Sequence, residues 1–527
     1  SRGGRGKKLA RVPRRWYGDG CEVVTATGGT RAVTDLTLFP LKFNSSIRVE
    51  ARPERLTADP GALLLRETIE RIGIIPWLTE RLHDPRSPER ITHPFAELLR
   101  TELIRLGQGW RDHDDADALR DDAAMRLAVS DRRGISPLLT RPEEERARNP
   151  NPTVPDGLAS QPTLSRLART LSSEQNRTVL RGALLETVAR RIRAQHRGHR
   201  MRQVTVDIDS LPCEVHGHQP GSEYNGHYHE RIYHPLVASI AETGDMIDAR
   251  LREGSAHTAA GALDFVLPLL DGVERKLCAK AAVRLDAGFP EENLLRSLEQ
   301  RGTRYVARVR NNPVLDRMAE PYLRRPPGRR PAEPREWFYE STYQAESWSR
   351  ARRVVLVVQE RAEELFLHHF WLITNWTAEQ KSGAALCEEY RQRGTAEGHM
   401  GEVMSVLDPA LSSSPRPKSH YRGEEPVRRY ASGDSFAVNE VLLLLNLLAY
   451  DILHVTRLAM EKATGEGWSL QRLRERVLRV AARVLVHGRR ATVVIGHAAA
   501  ALWHALLLDL AFLRGAPTTR AAARAPS

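Results

Sequence analysis

The sequence has few cysteines, and none of them are paired at metal-binding spacing. Its four cysteines are scattered along 527 residues with no CxxC motif: Cys21, Cys213, Cys278 and Cys387. This pattern argues against a zinc ribbon and indicates a reducing compartment. No signal peptide opens the sequence. We therefore expect the protein to be cytoplasmic.

Lysine and long apolar runs are also scarce. Only eight of the 79 basic residues are Lys, so 71 are Arg, and the net charge is +13. Such a charge indicates an acidic partner, either nucleic acid or a membrane surface. The strongest apolar run, VLLLLNLLAY at 441–450, is too short to span a bilayer and predicts a buried helix. Nucleic acid is then the better partner, with no membrane involved. The Arg excess suits phosphate recognition, and a GC-rich coding bias explains it equally well.

A chain of this length predicts several domains rather than one core. Residues 1–50 are predicted to be a basic, partly disordered arm, with seven basic residues and no acids in 1–15. Residues 51–200 show apolar residues at three- and four-residue spacing, which predicts a helical region suited to reading DNA ends. A charged, proline-rich linker at 140–157 interrupts it.

From residue 201 onward, short β-rich runs alternate with helical segments, which predicts an α/β sheet domain. The predicted strands are QVTVDIDS, KAAVRLDAGF, YVARVR, RRVVLVVQE and LHHFWLITNW, with a hairpin in YHPLVASIAETGDMIDARLRE. The boundaries are 201–310 for the first part of the sheet domain, 311–370 for an insertion and following strands, 371–410 for the second part, 411–513 for a C-terminal helical region, and 514–527 for a tail. In the C-terminal region, helices are expected at about 435–463 and 468–485.

Three acidic residues stand out by their positions. Asp209 ends the first predicted strand, Asp286 ends a second, and Glu397 lies on a helix predicted to begin near residue 381. Carboxylates placed in this way can converge at one edge of a sheet, and oxygen ligands suit Mg²⁺ or Mn²⁺. Two such ions, about 3.5–4 Å apart, can activate a water or a 3′-hydroxyl in phosphodiester transfer. A single strand-end aspartate more often caps a turn, so the pattern alone leaves a structural interpretation open.

Other residues near these acids invite the same interpretation. Asp207 lies two residues before Asp209 on the same face of the strand, and two like charges need a positive partner, predicted here to be the metal. Tyr390 and Arg393 share a helix face with Glu397 and could hold a DNA phosphate. The same helix carries three glycines, each costing about 1 kcal/mol in a helix interior: Gly394, Gly398 and Gly401. Close approach of DNA or of a neighbouring strand would explain these glycines, and so would a broken helix.

Several motifs together resemble a known family. DIDS at 207–210, RLDAGF at 284–289 and YRQRGTAE at 390–397 are similar to the three acidic motifs of DDE transposases from bacterial insertion sequences. The resemblance is to the branch with a Y-x2-R-x3-E-x6-K signature. HYHERIYHPLVASIAETGD at 227–245 and the later FAVNEVLLLLNLLAY also resemble one group in that branch, and the similarity runs from about residue 60 to 500.

The resemblance implies a ribonuclease-H-like (retroviral-integrase-like) catalytic domain with a β-rich insertion, flanked by helical N-terminal and C-terminal regions. It implies metal-dependent cleavage at terminal inverted repeats, with a possible DNA hairpin, and transfer of the 3′-hydroxyl into target DNA. Asp209, Asp286 and Glu397 inherit catalysis and the binding of Mg²⁺, with Mn²⁺ as a substitute and two ions expected. Tyr390 and Arg393 inherit contacts to DNA phosphate. The implied active form is a homodimer bridging two ends, in a bacterial cytoplasm at the nucleoid.

The sequence departs from the family pattern at one position. The signature lysine should fall at 404, where this chain has Met404. That phosphate contact is therefore missing or supplied by another residue, with the arginines of the insertion as candidates. Asp207 also fits the first motif, but Ser210 after Asp209 favours Asp209 as the catalytic acid and leaves Asp207 an auxiliary role. Two alternatives stay open: a DNA-binding protein that no longer cuts, and a structure-selective nuclease of the same fold.

Two further clusters have competing interpretations. Five histidines could form a zinc site, although their spacing better fits phosphate contacts and loop hydrogen bonds: His216, His218, His227, His229 and His234. Trp371 and Trp376 could stack on a flipped base at a hairpin end. A core position on a strand is the commoner role for such tryptophans.

Overall fold

The computed structural model describes residues 34–35, 41–47, 49–51, 54–131, 138, 157–196, 199–215, 219–325, 327, 333–361, 364, 366–413, 434–487 and 490–512. The basic segment 1–15, nearly all of the linker at 140–157, and the histidines His216 and His218 lie outside these residues. The chain divides into two units, Ser1–Arg55 and Leu56–Ser527. The domain boundaries proposed from composition stay predictions.

The first unit contains two short antiparallel strands, β1 (Thr34–Asp35) and β2 (Glu50–Ala51). The second unit contains the remaining described strands: β3 (Leu56–Thr57), β4 (Met201–Ser210), β5 (Cys213–Glu214), β6 (Glu223–Asn225), β7 (Glu230–Tyr233), β8 (Leu236–Ile240), β9 (Met246–Arg250), β10 (Cys278–Leu285), β11 (Arg304–Val309), β12 (Arg335–Tyr343), β13 (Arg352–Glu360), β14 (His368–Thr374), β15 (Ala482–His487) and β16 (Arg490–Ile495).

The region before β4 is helical, as its apolar spacing predicted. Its helices are Ala62–Ile72, Ile74–Thr79, Phe95–Gln108, Asp115–Leu119, Ala123–Val129, Gln161–Leu171 and Glu174–Gln195. Local chemistry sets their ends. Gly73, with a φ of 70°, lies between the first two helices, and the Ser173 hydroxyl accepts a hydrogen bond from the backbone N–H of Asn176 at the start of the last.

A mixed sheet of eight strands forms the centre of the second unit, in the order β12-β13-β14-β11-β10-β4-β8-β9. β4, β10 and β11 are parallel neighbours, and the other pairs are antiparallel. All five predicted strands and the β8–β9 hairpin are present, with Gly244 at a φ of 77° in the predicted turn. This mixed α/β architecture is consistent with a ribonuclease-H-like fold. β12 was not predicted, and β12 to β14 continue the sheet beyond β11.

Alternation along the strands gives the sheet two different faces. Val204, Val206 and Ile208 of β4 are buried on one face with Phe265 of the helix Ala262–Lys276, and the helix Glu292–Arg301 packs into the same core. Side chains at the intervening positions, including those of the strand-end acids, point to the opposite face. We call this second face the acid face. It is covered in part by the helix Gly383–Arg391, through Leu386 and Cys387.

The apolar run at 441–450 lies in a long helix, Asp434–Thr464. The prediction of a buried helix is confirmed, because Val441, Leu444 and Leu448 are almost fully inaccessible to solvent. The helix is longer than the run, so by length and composition alone it could cross a membrane. Its most apolar window is 83% buried within the protein, which is typical of a core helix.

Two helix predictions need correction. The prediction of one helix at 468–485 is wrong. The helical part consists of the short helix Leu470–Leu473 and a π-helical turn, Arg474–Leu478. The chain then forms the β15–β16 hairpin, and β15 of this hairpin pairs with β3. The apolar spacing there also fits strands, and β-branched residues favour them, such as Val484 in β15 and Val493 in β16. The helix expected from about 381 is divided at Gln392 into Gly383–Arg391 and Arg393–Glu402.

A last helix, His497–Phe512, follows the hairpin. Short helical segments at Pro88–Arg90, Pro313–Ala319, Glu320–Tyr322 and Val403–Leu407 complete the elements of the described chain. The three cysteines in this part, Cys213, Cys278 and Cys387, are free and buried.

Candidate active site

Strand register brings Asp209 and Asp286 to the same place. Ile208 of β4 pairs with Leu285 of the parallel strand β10. The next residue after each of these is an aspartate, Asp209 within β4 and Asp286 directly after the end of β10, so the two carboxylates lie side by side at the carboxyl ends of neighbouring strands. Because laterally aligned residues share a face, both belong to the acid face.

The third acid reaches this place from the helix Arg393–Glu402. The Arg393 guanidinium forms an ion pair with the Asp209 carboxylate, and its Nη1 lies 2.6 Å from Glu397 Oε1 and 3.6 Å from Asp286 Oδ1. Arg393 and Asp209 are mostly enclosed, with side chains 11% and 16% exposed. Asp286 and Glu397 are more open, at 40% and 58%. Three acids far apart in sequence therefore surround one cation at a solvent-accessible edge.

Burial and charge oppose each other at this centre. Burial raises the pKa of Asp209 to about 6, with Asp286 and Glu397 adding to the rise, against the lowering effect of Arg393 and of the Ser210 N–H that donates to Asp209 at 2.8 Å. Burial also disfavours the charge on Arg393, but the surrounding carboxylates outweigh it and raise its pKa. The acids therefore need a cation among them to share this edge as carboxylates.

These carboxylates are the right ligand type for a hard divalent ion. In the arrangement seen, the cation between them is the Arg393 guanidinium, and no three His, Cys, Asp or Glu side chains in the described ranges are grouped as a ready metal site. The donor set fits such an ion by chemistry and by convergence. For a divalent ion to bind, Arg393 would have to break some of its ion pairs with the three acids.

Asp207 has a different environment from Asp209. Arg284, opposite it on β10, donates from Nε at 2.5 Å to one carboxylate oxygen and from Nη2 at 2.6 Å to the other, and both side chains are almost fully buried. Burial raises the pKa of Asp207, and Arg284 opposes that rise. For Asp207, the prediction that the metal is the positive partner is therefore wrong, because Arg284 fills that role. Asp207 is not among the three carboxylates that contact Arg393.

The remaining candidates divide between the acid face and the core. Tyr390 packs on the acid face beside Leu386, where burial raises its pKa to about 12. Met404 is partly buried against the core around the long helix. Trp371 is buried with the core on the other face, so the stacking role considered for it is wrong. Trp376 is partly buried, and two cations lie over its ring: Arg304 Cζ is 5.2 Å and Lys381 Nζ is 4.6 Å from the ring centroid.

Comparison with known proteins identifies the family. Residues 39–414 match the family model described as transposase DDE domain group 1. The chain belongs to this family. The protein is therefore a DDE transposase, and transposases with this domain use divalent metal ions. No curated protein matches the chain.

Among solved structures, the cryo-EM structure of a piggyBac transposase synaptic complex with hairpin DNA matches this DDE transposase over 88% of its chain and 84% of the other. The two are 12% identical, and the TM-score is 0.38. At that level of similarity, the match carries no argument about individual residues of the site. The placement of each side chain rests on the geometry above.

One residue near the acids was missed by the sequence interpretation. Tyr228, between β6 and β7, lies close enough to Asp209 and Asp286 for their charges to add to the effect of burial in raising its pKa. Its ring contacts His227 and His234 edge-on, with centroids 4.8 Å and 5.8 Å apart. Only its position in the segment HYHERIYHPLVASIAETGD at 227–245, which is part of the resemblance, could have indicated it. Sequence spacing does not reveal which hairpin folds over a strand end.

The histidines show no sign of a zinc site in the part of the chain that is described. His227 and His229 are exposed. His234 is buried, its Nδ1 lies 3.0 Å from the Ala256 carbonyl oxygen, and burial lowers its pKa. For this residue, a loop hydrogen bond agrees with the preferred interpretation.

Proposed function

We propose that this DDE transposase binds the terminal inverted repeats of a bacterial insertion sequence, cleaves the DNA at those ends and joins the freed 3′-hydroxyl to target DNA. The observation that carries the proposal is the convergence of Asp209, Asp286 and Glu397 on one cationic centre. A DNA hairpin at the cleaved end and a homodimer bridging two ends belong to the same proposal, as does a place at the bacterial nucleoid.

Asp209, Asp286 and Glu397 are the residues that would hold Mg²⁺, or Mn²⁺ in its place, with two ions expected. The metal would supply an activated water or hydroxyl and stabilise the leaving oxygen. The protein's part is to hold the three carboxylates at one open edge. β4 and β10 fix the two aspartates, and the helix Arg393–Glu402 brings the glutamate to them.

Arg393 and Tyr390 are proposed to contact the DNA phosphate. A guanidinium suits this role because it can donate two parallel hydrogen bonds to two phosphate oxygens. Arg393 pairs with all three acids, and a divalent ion held by those acids would free its guanidinium to bind phosphate. Tyr390 lies on the acid face and would donate a hydrogen bond from its hydroxyl to a phosphate oxygen.

The proposal is tested with labelled duplexes made from the genomic DNA on either side of the coding sequence, incubated with full-length protein and Mg²⁺. We expect nicking at defined positions, which Asp286→Asn abolishes. Asp264→Asn is the matched control, because Asp264 is an exposed carboxylate on the helix that packs against the other face of the sheet. Cleavage undiminished by Asp286→Asn would overturn the catalytic assignment.

The same assay separates the two alternatives. Binding of the duplexes without any cleavage would indicate a DNA-binding protein that has lost activity, an idea motivated by Met404 in place of the signature lysine. Nicks or hairpins without joining to a second DNA would indicate a structure-selective nuclease. Joined products that contain flanking and target DNA support the transposase.

A further inference from the structure

The acid face carries an arginine in line with the two aspartates. Leu285 of β10 pairs with Ile208 of β4 on one side and with Ala307 of the parallel strand β11 on the other. One residue further along each strand, Asp209, Asp286 and Arg308 form a row across three neighbouring strands. With strands about 4.8 Å apart, the Arg308 backbone is roughly 10 Å from that of Asp209.

Arg308 is exposed, and its guanidinium is held by a ring rather than by an acid. It lies over Phe370 of β14, 5.3 Å from the ring centroid. Within the described residues, no carboxylate lies within ion-pair distance of Arg308. Val306, two residues earlier on β11, is buried on the same face beneath the helix that carries Tyr390, so the arginine lies beside the candidate phosphate-binding residues.

Three other arginines of this face are already engaged by carboxylates. Arg284 is tied to Asp207, Arg353 donates to Glu340 from Nε at 2.8 Å and from Nη2 at 2.7 Å, and Arg391 donates to Glu336 from Nη1 at 2.9 Å. Met404, at the signature lysine position, has an apolar side chain packed against the core. Arg308 is therefore the cation in the row that is free to bind an anion from solvent.

We propose that Arg308 binds a backbone phosphate of the DNA strand whose reacting phosphate lies at Asp209, Asp286 and Glu397, and so supplies the contact missing at Met404. The proposal rests on the function proposed above. It assigns a DNA-binding role to a strand residue outside the three acidic motifs. Because a phosphate contact reads no base, the contribution should be the same for any DNA sequence seated at the acids.

The test measures binding by fluorescence anisotropy, with full-length protein, labelled duplexes of the flanking genomic DNA, and EDTA to prevent cleavage, over a series of salt concentrations. We expect Arg308→Gln to weaken binding about tenfold, because a charge-assisted hydrogen bond is lost. It should also reduce the steepness of the salt dependence by about one phosphate. Arg308→Lys should restore the salt dependence, since it keeps the charge.

The matched control is Arg296→Gln. Arg296 is an exposed arginine on the helix Glu292–Arg301, against the opposite face of the sheet, so it loses the same charge away from the acids. If Arg308→Gln binds like Arg296→Gln with an unchanged salt slope, while Asp286→Asn still abolishes nicking, Arg308 has no such role and the proposed function stands. If the wild-type protein neither binds nor nicks these duplexes, both proposals are overturned.

Discussion

Asp207 and Asp209 are two residues apart on one strand, yet they have different partners. Asp207 is enclosed in a bidentate pair with Arg284, which also donates from Nη1 to the Glu389 carbonyl oxygen at 2.6 Å. Asp209 contacts Arg393, whose side chain is shared with Asp286 and Glu397. The Asp207–Arg284 pair therefore connects β4, β10 and the helix Gly383–Arg391. Asp209 belongs to the solvent-accessible group of acids around Arg393.

This difference predicts that an Asp→Asn substitution mainly affects stability at position 207 and activity at position 209. Asp207→Asn should lower the free energy of unfolding by about 3–5 kcal/mol, because it leaves the buried Arg284 charge unpaired. Asp209→Asn should cost about 1 kcal/mol or less and abolish nicking, because burial already disfavours the Asp209 charge. Urea unfolding and the nicking assay measure the two effects. Equal losses of stability for both variants would contradict the assigned roles.

At the scale of elements, the helix Arg393–Glu402 presents an open glycine face. Nothing in the described protein lies within 4 Å of a Cβ placed at Gly394, Gly398 or Gly401. A neighbouring strand therefore does not explain these glycines, and the helix divides at Gln392 rather than at any of them. Close approach of DNA stays the remaining prediction.

Gly398→Ala tests that prediction at a mid-helix position. The added methyl group should raise the free energy of unfolding by about 0.5–1 kcal/mol, because alanine favours a helix and meets no clash. If DNA approaches this face, the same variant should bind the flanking duplexes more weakly. Urea unfolding and anisotropy on the same samples give both values. A stabilised variant with unchanged DNA affinity would remove DNA contact as the reason for glycine here.

The other end of this helix is anchored to the long helix Asp434–Thr464. Glu402 forms an ion pair with Arg457 and accepts a hydrogen bond from the Leu470 backbone N–H at 3.1 Å. His399 Nδ1 lies 3.3 Å from the Tyr450 hydroxyl. Although burial alone would raise the pKa of Glu402, the neighbouring His399, the Leu470 N–H and the Arg457 charge lower it from 4.5 to about 2.

This anchor predicts a defined pH dependence of stability. A lowered folded-state pKa stabilises the protein above the unfolded value, and the contribution is lost as pH falls from about 4.5 to about 2. Glu402→Gln should therefore cost about 2–3 kcal/mol near neutral pH and only roughly 0.5 kcal/mol near pH 2, where about half of the folded molecules have Glu402 protonated. Urea unfolding of both proteins over this pH range measures the difference. A cost that persists unchanged at the acidic end would contradict the charge-based anchor.

At the scale of the whole molecule, the net charge of +13 favours binding to the DNA backbone. A protein that neutralises about six to ten phosphates should lose about 10³–10⁵ in affinity between about 50 and 200 mM salt. Anisotropy titrations of the wild-type protein on a flanking duplex measure this slope. An affinity that is flat across that range would contradict a phosphate-tracking surface.

Much of the sheet followed from sequence, and the details of the site did not. Alternating β-branched residues gave the strands that end at Asp209 and Asp286, and the proximity of those ends follows from parallel pairing. The Asp207–Arg284 pair needs the exact register, and the contact of Arg393 with three acids needs the approach of a separate helix. The β15–β16 hairpin was missed because its short apolar run fits both helical and strand spacing.

We propose that Asp209, Asp286 and Glu397 form one metal-dependent centre. The most direct measurement is an anomalous difference map from crystals of the full-length protein with flanking-duplex DNA and Mn²⁺. We predict Mn²⁺ bound by these three carboxylates, with Arg393 turned toward a DNA phosphate. Mn²⁺ bound elsewhere, with these three side chains making no contact to it, would contradict the account.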